Sequence, residues 1–368
     1  MNLALVIPTL NRINELTKLV NSIKSQVIPK LLNVTVCISG AYCNSEVKKY
    51  LKSIEGKNRR LVFKIYIEPI GLANWYLAAN LVPEDCDFAW MIGDDDEFVS
   101  TRSIYRIFHL LNSHPEINGL FIPMASKVNE EYFIKDNYYD ICNRVGFHET
   151  VGWISSSIIR CVIFKDIYLQ FRQVFSEKKI VFNHASKLAR GLYEKKIGQF
   201  THATCILEAL LDSQVVFASF KIIKEQDSPK GLLEKLRRDK IPMKYKKYHS
   251  VRFIFDLLKI SQILIKNNRT PTPVFYRYVS RDYFQLCYDI LIDGISTNSY
   301  GSGEVDHLFE ILNSAIISDD ISYVKFNKIT VQFIKFLYSA SKQKGRRATN
   351  TDFQDLLKLI KMREYIKT

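Results

Sequence analysis

No Cys-x-x-Cys pair occurs among the seven cysteines of the 368-residue chain, at 37, 43, 86, 142, 161, 205 and 287. An odd, scattered set argues against a disulfide framework and against a thiolate zinc site, so the cysteines read as reduced and mostly buried. Long apolar runs are missing as well: no stretch reaches the roughly 18 uninterrupted residues that a membrane-spanning helix needs. The opening "MNLALVIPTLNR" lacks a basic leader, and its apolar run stops at Pro8. A cytoplasmic location is the expectation. Glycine is sparse, and "IPTLNRINE" after the first apolar run has none, which removes a glycine-rich phosphate loop from that position. Acidic residues are outnumbered, 38 against 52 Lys and Arg, for a net charge of +14. Such an excess attracts phosphates, anionic lipid or nucleic acid. No recognised RNA or DNA motif accompanies it, and no nucleic-acid partner is expected.

What is present is a regular alternation. Leu3 to Pro8 has strand length, and Ile13, Leu16, Leu19, Val20 and Ile23 follow at helical spacing. "NVTVCIS" and "LVFKIYIE" are β-rich runs, with the helical "SEVKKYLKSIE" between them. "NWYLAANLV" reads as a further helix and "FAWMIG" as a fourth strand. Strands alternating with helices predict an α/β fold with a mostly parallel sheet covered on both faces. Ligands of such sheets sit outside the carboxyl ends of the strands. After Asn118 the pattern loosens: "GLFIPMAS", "GWISSSIIR" and "QVVFASF" are strand-like, and "THATCILEALLD" is helical. Beyond Asp227-Ser228-Pro229 long amphipathic helices take over. Two domains are therefore expected, 1–225 as an α/β, ligand-binding domain and 226–368 as a helical domain suited to membrane docking or self-association.

"FAWMIGDDDEF" drives an apolar run into Asp94, Asp95 and Asp96. Adjacent carboxylates repel one another and resist burial, so their place at a strand end calls for a compensating cation or donors. Carboxylate oxygens suit Mg²⁺ or Mn²⁺, hard cations commonly held by one or two carboxylates together with substrate phosphates.

"LVIPTLNRINELTKLVNSI", "IGLANWYLAAN" and "FAWMIGDDDEF", in that order, resemble the amino-terminal half of the bacterial family 2 nucleotide-sugar glycosyltransferases of the GT-A fold. The likeness covers about residues 1–225. It is strongest to the enzymes that build O-antigen and capsule, such as those similar to abequosyltransferases. The resemblance implies a Rossmann-like GT-A domain, a nucleotide-sugar donor, a saccharide or lipid-linked saccharide acceptor, and inverting transfer assisted by Mg²⁺ or Mn²⁺. It implies that Pro8, Thr9, Asn11 and Arg12 form the loop touching the nucleotide. Gly71 and Asn74 would lie beside base and ribose. Asp94, Asp95 and Asp96 would hold the metal and the sugar diphosphate. "GWISSSIIR" would line the acceptor pocket, with Trp153 and Ser155 against the sugar.

Two departures stand out. Family members carry Asp after the second strand to bind the nucleobase, whereas this chain has Gly40 in "ISGAYCN", leaving Ser39, Asn44 or Glu68 for that task. The acidic pair expected near a helix start is replaced by "IGQFTHATCILEALLD". Inverting transfer needs a base for the acceptor hydroxyl. His202, at the expected helix start, is a candidate because a helix amino terminus disfavours imidazolium. Glu149 in "GFHETVGW" is its rival, and Glu208 is a third candidate.

Residues 230–252 hold nine Lys or Arg interleaved with Tyr245 and Tyr248. A polybasic segment of this kind suits a peripheral contact with the anionic inner face of a membrane. Two other readings remain at this level: a sugar nucleotidyltransferase, disfavoured by the missing glycine loop, and a basic binding protein with a degenerate transferase domain.

Overall fold

The computed structural model describes residues 1–41, 43–58, 60–68, 78–125, 128–176 and 201–226, with short stretches between 256 and 276. The chain divides into two units. The first comprises Met1–Val145, Glu149–Ala185 and Cys205–Asp239; the second comprises Gly146–His148, Ser186–Thr204 and Lys240–Thr368.

In the first unit, β1 (Asn2–Leu10) leads into α1 (Ile13–Lys24), then β2 (Asn33–Ala41) and α2 (Ser45–Ile54). A short β3 (Gly56–Asn58) precedes β4 (Leu61–Glu68), and β5 (Phe88–Met91) follows. Strands β4, β2, β1 and β5 lie side by side and parallel. Both faces of β1 are shut off from solvent: Leu3 is 1% exposed, and Ala4, Leu5, Val6 and Ile7 are fully buried. That is why the strand reads as an unbroken apolar run rather than an alternation. Helix α1 buries Leu16, Leu19, Val20 and Ile23, one stripe at the spacing of a 3.6-residue period, and α2 buries Val47, Leu51 and Ile54. Each fully buried leucine contributes about 1.5–3 kcal/mol relative to exposure, so these stripes hold the helices on the sheet. Glu15 in the first turn of α1 and Lys24 in its last complement the helix dipole.

The sheet continues through β7 (Gly119–Phe121), β8 (Tyr132–Asn137), β9 (Ser157–Arg160) and β10 (Gln214–Ser219) to nine strands, in the order β3-β4-β2-β1-β5-β9-β7-β10-β8. β9 runs antiparallel between β5 and β7, while β7 and β10 are parallel. β3 and β8 are antiparallel edges. The α/β, mostly parallel architecture read from the sequence is the one found. Three helices flank the later strands: α3 (Ser103–Ser113), α4 (Tyr138–Val145) and α6 (Cys161–Ser176), with the short α5 (Phe147–Val151) between the last two. Helix α7 (Thr201–Leu210) ends where β10 begins.

A two-stranded ribbon stands apart from the main sheet. β6 (Asp96–Phe98) pairs antiparallel with β11 (Ile223–Glu225), in the register Asp96↔Glu225. None of the described cysteines is in a disulfide, and all are buried except the half-buried Cys205. Burial pushes the thiols of Cys37, Cys86 and Cys142 up to about 12, which leaves them as unreactive core groups.

In the second unit, Phe147 stacks on Phe275 with ring centroids 5.4 Å apart, and Ile260, Ile263 and Leu264 are buried. The remaining helices expected beyond residue 225, and the basic stretch 230–252, lie outside the described residues, as does Cys287. No described helix is long and apolar enough to cross a membrane.

Candidate active site at the carboxyl ends of the strands

The register aligns Leu10, Ala41 and Glu68 at the carboxyl ends of β1, β2 and β4, and Ile92 just beyond β5 donates its amide to the Val6 carbonyl. The loops leaving β1 and β5 therefore meet at one edge. Thr9, 1% exposed, donates its hydroxyl to Oδ2 of Asp94 at 2.6 Å. Nη1 of Arg12 lies 3.0 Å from Oδ1 of Asp94 and 2.9 Å from Oδ2 of Asp95. Burial works against the charged guanidinium, but the two carboxylates outweigh it and raise the Arg12 pKa. The cation demanded by adjacent acids is thus supplied in part by the protein itself.

Asn11 makes the turn possible. Its φ of 54° is left-handed, a region Asn tolerates better than most residues, and its Oδ1 accepts the Asn44 amide at 2.9 Å. Asn44 in turn accepts from the Val47 amide and caps α2. Asn11 is therefore a tie between the first two loops rather than a helix cap. Pro8 is buried within β1, and Ser39 is fully buried with no hydrogen bond to its hydroxyl oxygen. A Cβ on Gly40 would stand 2.7 Å from the Cys43 sulfur and 3.0 Å from Leu51. Any side chain at position 40 would require Cys43 and Leu51 to shift. Glu68 closes β4; Gly71 and Asn74 lie outside the described residues.

The third carboxylate turns inward. Asp96 is 1% exposed; its Oδ2 accepts the Gly93 amide at 3.1 Å and the Ser155 hydroxyl, while its buried Oδ1 has no hydrogen-bond partner among the described residues. Burial pushes the Asp96 carboxyl well above the usual carboxylate range, Asp95 and Asp94 push it further, and the bonds from Ser155 and Gly93 oppose this in part. Ser155, expected against the acceptor, is fully buried in a 3₁₀ turn (Ile154–Ser156) before β9. Its hydroxyl accepts the Gly93 amide at 2.9 Å and its carbonyl accepts Nε1 of the fully buried Trp90 at 2.8 Å. Ser155 anchors the acidic loop from below. Trp153 is half-buried against the core.

Gln226 is a residue that the sequence reading passed over. Its amide proton goes to the Asp95 carbonyl at 2.8 Å, and its Nε2 lies 2.8 Å from the Asp96 carbonyl and 2.9 Å from that of Glu15. Nothing in a lone glutamine beside a domain boundary signals this. The β-rich "IIKE" before it was the available hint.

The base candidates fall in both units. His202 is buried in the first turn of α7 and belongs to the second unit; Glu149, half-buried on α5, and Glu208, exposed on α7, belong to the first.

Among the described residues no three His, Cys, Asp or Glu side chains converge as a metal cluster. The donor set fits a different arrangement. Asp95, 45% exposed at its side chain, and the adjoining Asp94 offer hard oxygens that diphosphate oxygens could complete.

No protein-family model and no curated protein matches the sequence. Solved structures similar to the chain do exist. S. aureus TarS 1–349 aligns at a TM-score of 0.42 and 14% identity, covering 78% of this chain and 81% of that one. The same TarS fragment in complex with UDP-GlcNAc gives 0.43 and 13%, covering 78% and 80%. The mannosyltransferase PcManGT from Pyrobaculum calidifontis, in complex with GDP-Man and Mn²⁺, gives 0.39 and 10%, covering 86% of each chain.

Proposed function

We propose that the chain is a metal-dependent glycosyltransferase that moves a sugar from a nucleoside-diphosphate donor to a saccharide or lipid-linked saccharide acceptor in bacterial surface polysaccharide synthesis. One observation carries the reading: Thr9 and Arg12 from the first loop hold Asp94 and Asp95 at the carboxyl edge of a parallel sheet. An edge of this kind is where α/β sheets bind ligands, and paired carboxylates with a neighbouring guanidinium suit a cation and the diphosphate it neutralises.

Asp94 and Asp95, with Asp96 behind them, would hold Mg²⁺ or Mn²⁺. The ion would offset the charge of the leaving diphosphate. Arg12 keeps the two outer carboxylates oriented and adds positive charge beside the diphosphate. Thr9 and Asn11 fix the loop that meets the nucleotide, with Glu68, Gly71 and Asn74 as its further contacts, Pro8 and Ser39 shaping the buried strand ends behind it, and Trp153 on the acceptor side. Transfer is inverting in this reading, and His202, Glu149 or Glu208 takes the acceptor proton. In this reading the chain beyond the α/β domain serves for docking to a membrane or acceptor, or for self-association, and 230–252 provide the contact with anionic lipid.

A thermal-shift panel of UDP-, GDP-, CDP- and dTDP-sugars, with and without Mn²⁺, tests the proposal. A ligand at a hundred times its dissociation constant adds about 2.7 kcal/mol, a readily measured rise in melting temperature. The expected result is a shift for one nucleotide that needs the metal. No shift for any nucleotide contradicts the reading.

A further inference from the structure

The three acidic residues are held by two different kinds of contact. Their side chains are bound by Thr9, Arg12 and Ser155, whereas their backbone carbonyls all face one residue, Gln226. Its main-chain amide bonds the Asp95 carbonyl at 2.8 Å, and its side-chain Nε2 is 2.8 Å from the Asp96 carbonyl, 3.4 Å from that of Asp94 and 2.9 Å from that of Glu15 on α1. Gln226 is 5% exposed, and its buried Oε1 has no hydrogen-bond partner among the described residues. Three carbonyls around one nitrogen fix which way the amide points, because only its NH₂ can donate. The β6–β11 ribbon delivers the residue: Glu225 pairs with Asp96, and Lys224 binds Glu97 at 2.8 Å, so Gln226 follows directly across the acidic loop.

We infer that Gln226 is a positioning residue of the diphosphate site, a donor-only clasp that sets where the Asp94 and Asp95 carboxylates stand by holding the backbone beneath them. The inference rests on the glycosyltransferase reading and deepens it. It requires a donor at this position and assigns no task to Oε1. Gln226→Glu keeps the shape and removes the donor, setting a carboxylate against the three carbonyls. Gln226→Met keeps the length without any hydrogen bond.

Two measurements on the full chain test this. Amide exchange of residues 93–98, corrected for intrinsic rates, needs no ligand. Affinity for Mn²⁺ with UDP, GDP, CDP or dTDP, expressed as a ratio to wild type, reads the site. The expected results are faster exchange in both variants and, at pH 8, affinity about tenfold weaker for Gln226→Glu, equivalent to about 1.4 kcal/mol. Gln226→Met should show a smaller deficit, and in both variants the exchange of residues 3–7 in β1 should stay at the wild-type rate, so that the loosening is confined to the acidic loop. Loosening of both segments alike, or unchanged exchange and affinity in both variants, overturns the inference. A wild type that binds none of the nucleotides with Mn²⁺ overturns the functional reading and, with it, Gln226 as part of a diphosphate site.

Discussion

The hydroxyl of Ser155 donates to Oδ2 of Asp96 across 59 residues of sequence, tying the turn before β9 to the loop after β5. A buried carboxyl held this way, with its other oxygen unbonded, is uncomfortable as an anion.

The stability of the metal-free protein should therefore depend on pH through Asp96. Its folded pKa is raised above the unfolded value of about 3.9, so between the two the folded chain holds a proton that the unfolded chain releases. Stability is greatest below the unfolded value and falls as pH rises through the folded one. Asp96→Asn removes that slope. In chelator, its denaturation midpoint should gain on wild type between pH 5 and pH 8. A variant that loses ground over that range contradicts the raised pKa.

Arg12→Ala leaves Asp94 and Asp95 facing each other without their shared cation. Two charge-assisted hydrogen bonds go, at a cost of about 2 kcal/mol after solvent screening of the part-exposed pair. Urea unfolding at low and high salt checks this, because added salt should narrow the deficit. A loss independent of salt would point to packing instead.

Gly93 approaches the acids too closely for any side chain. An added Cβ would lie 2.8 Å from Oδ1 of Asp95 and 2.8 Å from Oδ2 of Asp96. The Asp96 oxygen is pinned and cannot swing aside freely, so Gly93→Ala should displace the carboxylates. The expected outcome is a melting temperature within a few degrees of wild type and a loss of metal-dependent nucleotide binding. Full binding by the variant argues against these positions as the metal corner.

Trp90 packs edge-on against Phe98, with centroids 5.4 Å apart, while its Nε1 satisfies the Ser155 carbonyl. Trp90→Phe keeps most of the apolar area and strands that buried acceptor, for a loss of about 1–3 kcal/mol. Calorimetry of the two proteins measures it.

The first half of the fold was legible because its strands and helices are coded locally. Leu3 to Ile7 and the Leu16, Leu19, Val20, Ile23 stripe carry their periods in consecutive residues, and the structure forms β1 and α1 there. That the Thr9–Arg12 loop and Asp94 both stand at the carboxyl ends of strands was legible from the alternation of elements, whereas the hydrogen bonds between them were not. The β6–β11 ribbon was not legible, since three-residue strands show no period, and its pairing spans more than a hundred residues. Nor was the inward turn of Asp96, which depends on a serine delivered by the antiparallel β9. Three adjacent aspartates look alike in sequence; burial alone separates them.

Mn²⁺ binding, followed by the loss of the free-ion signal in electron paramagnetic resonance, bears most directly on the claim that a divalent ion joins this acidic corner to a diphosphate. Wild type is predicted to take up Mn²⁺ only with the nucleotide that stabilises it, and Asp95→Ala and Asp96→Ala, still folded, are predicted to lose both that uptake and sugar transfer. Uptake by both variants equal to wild type would contradict the account.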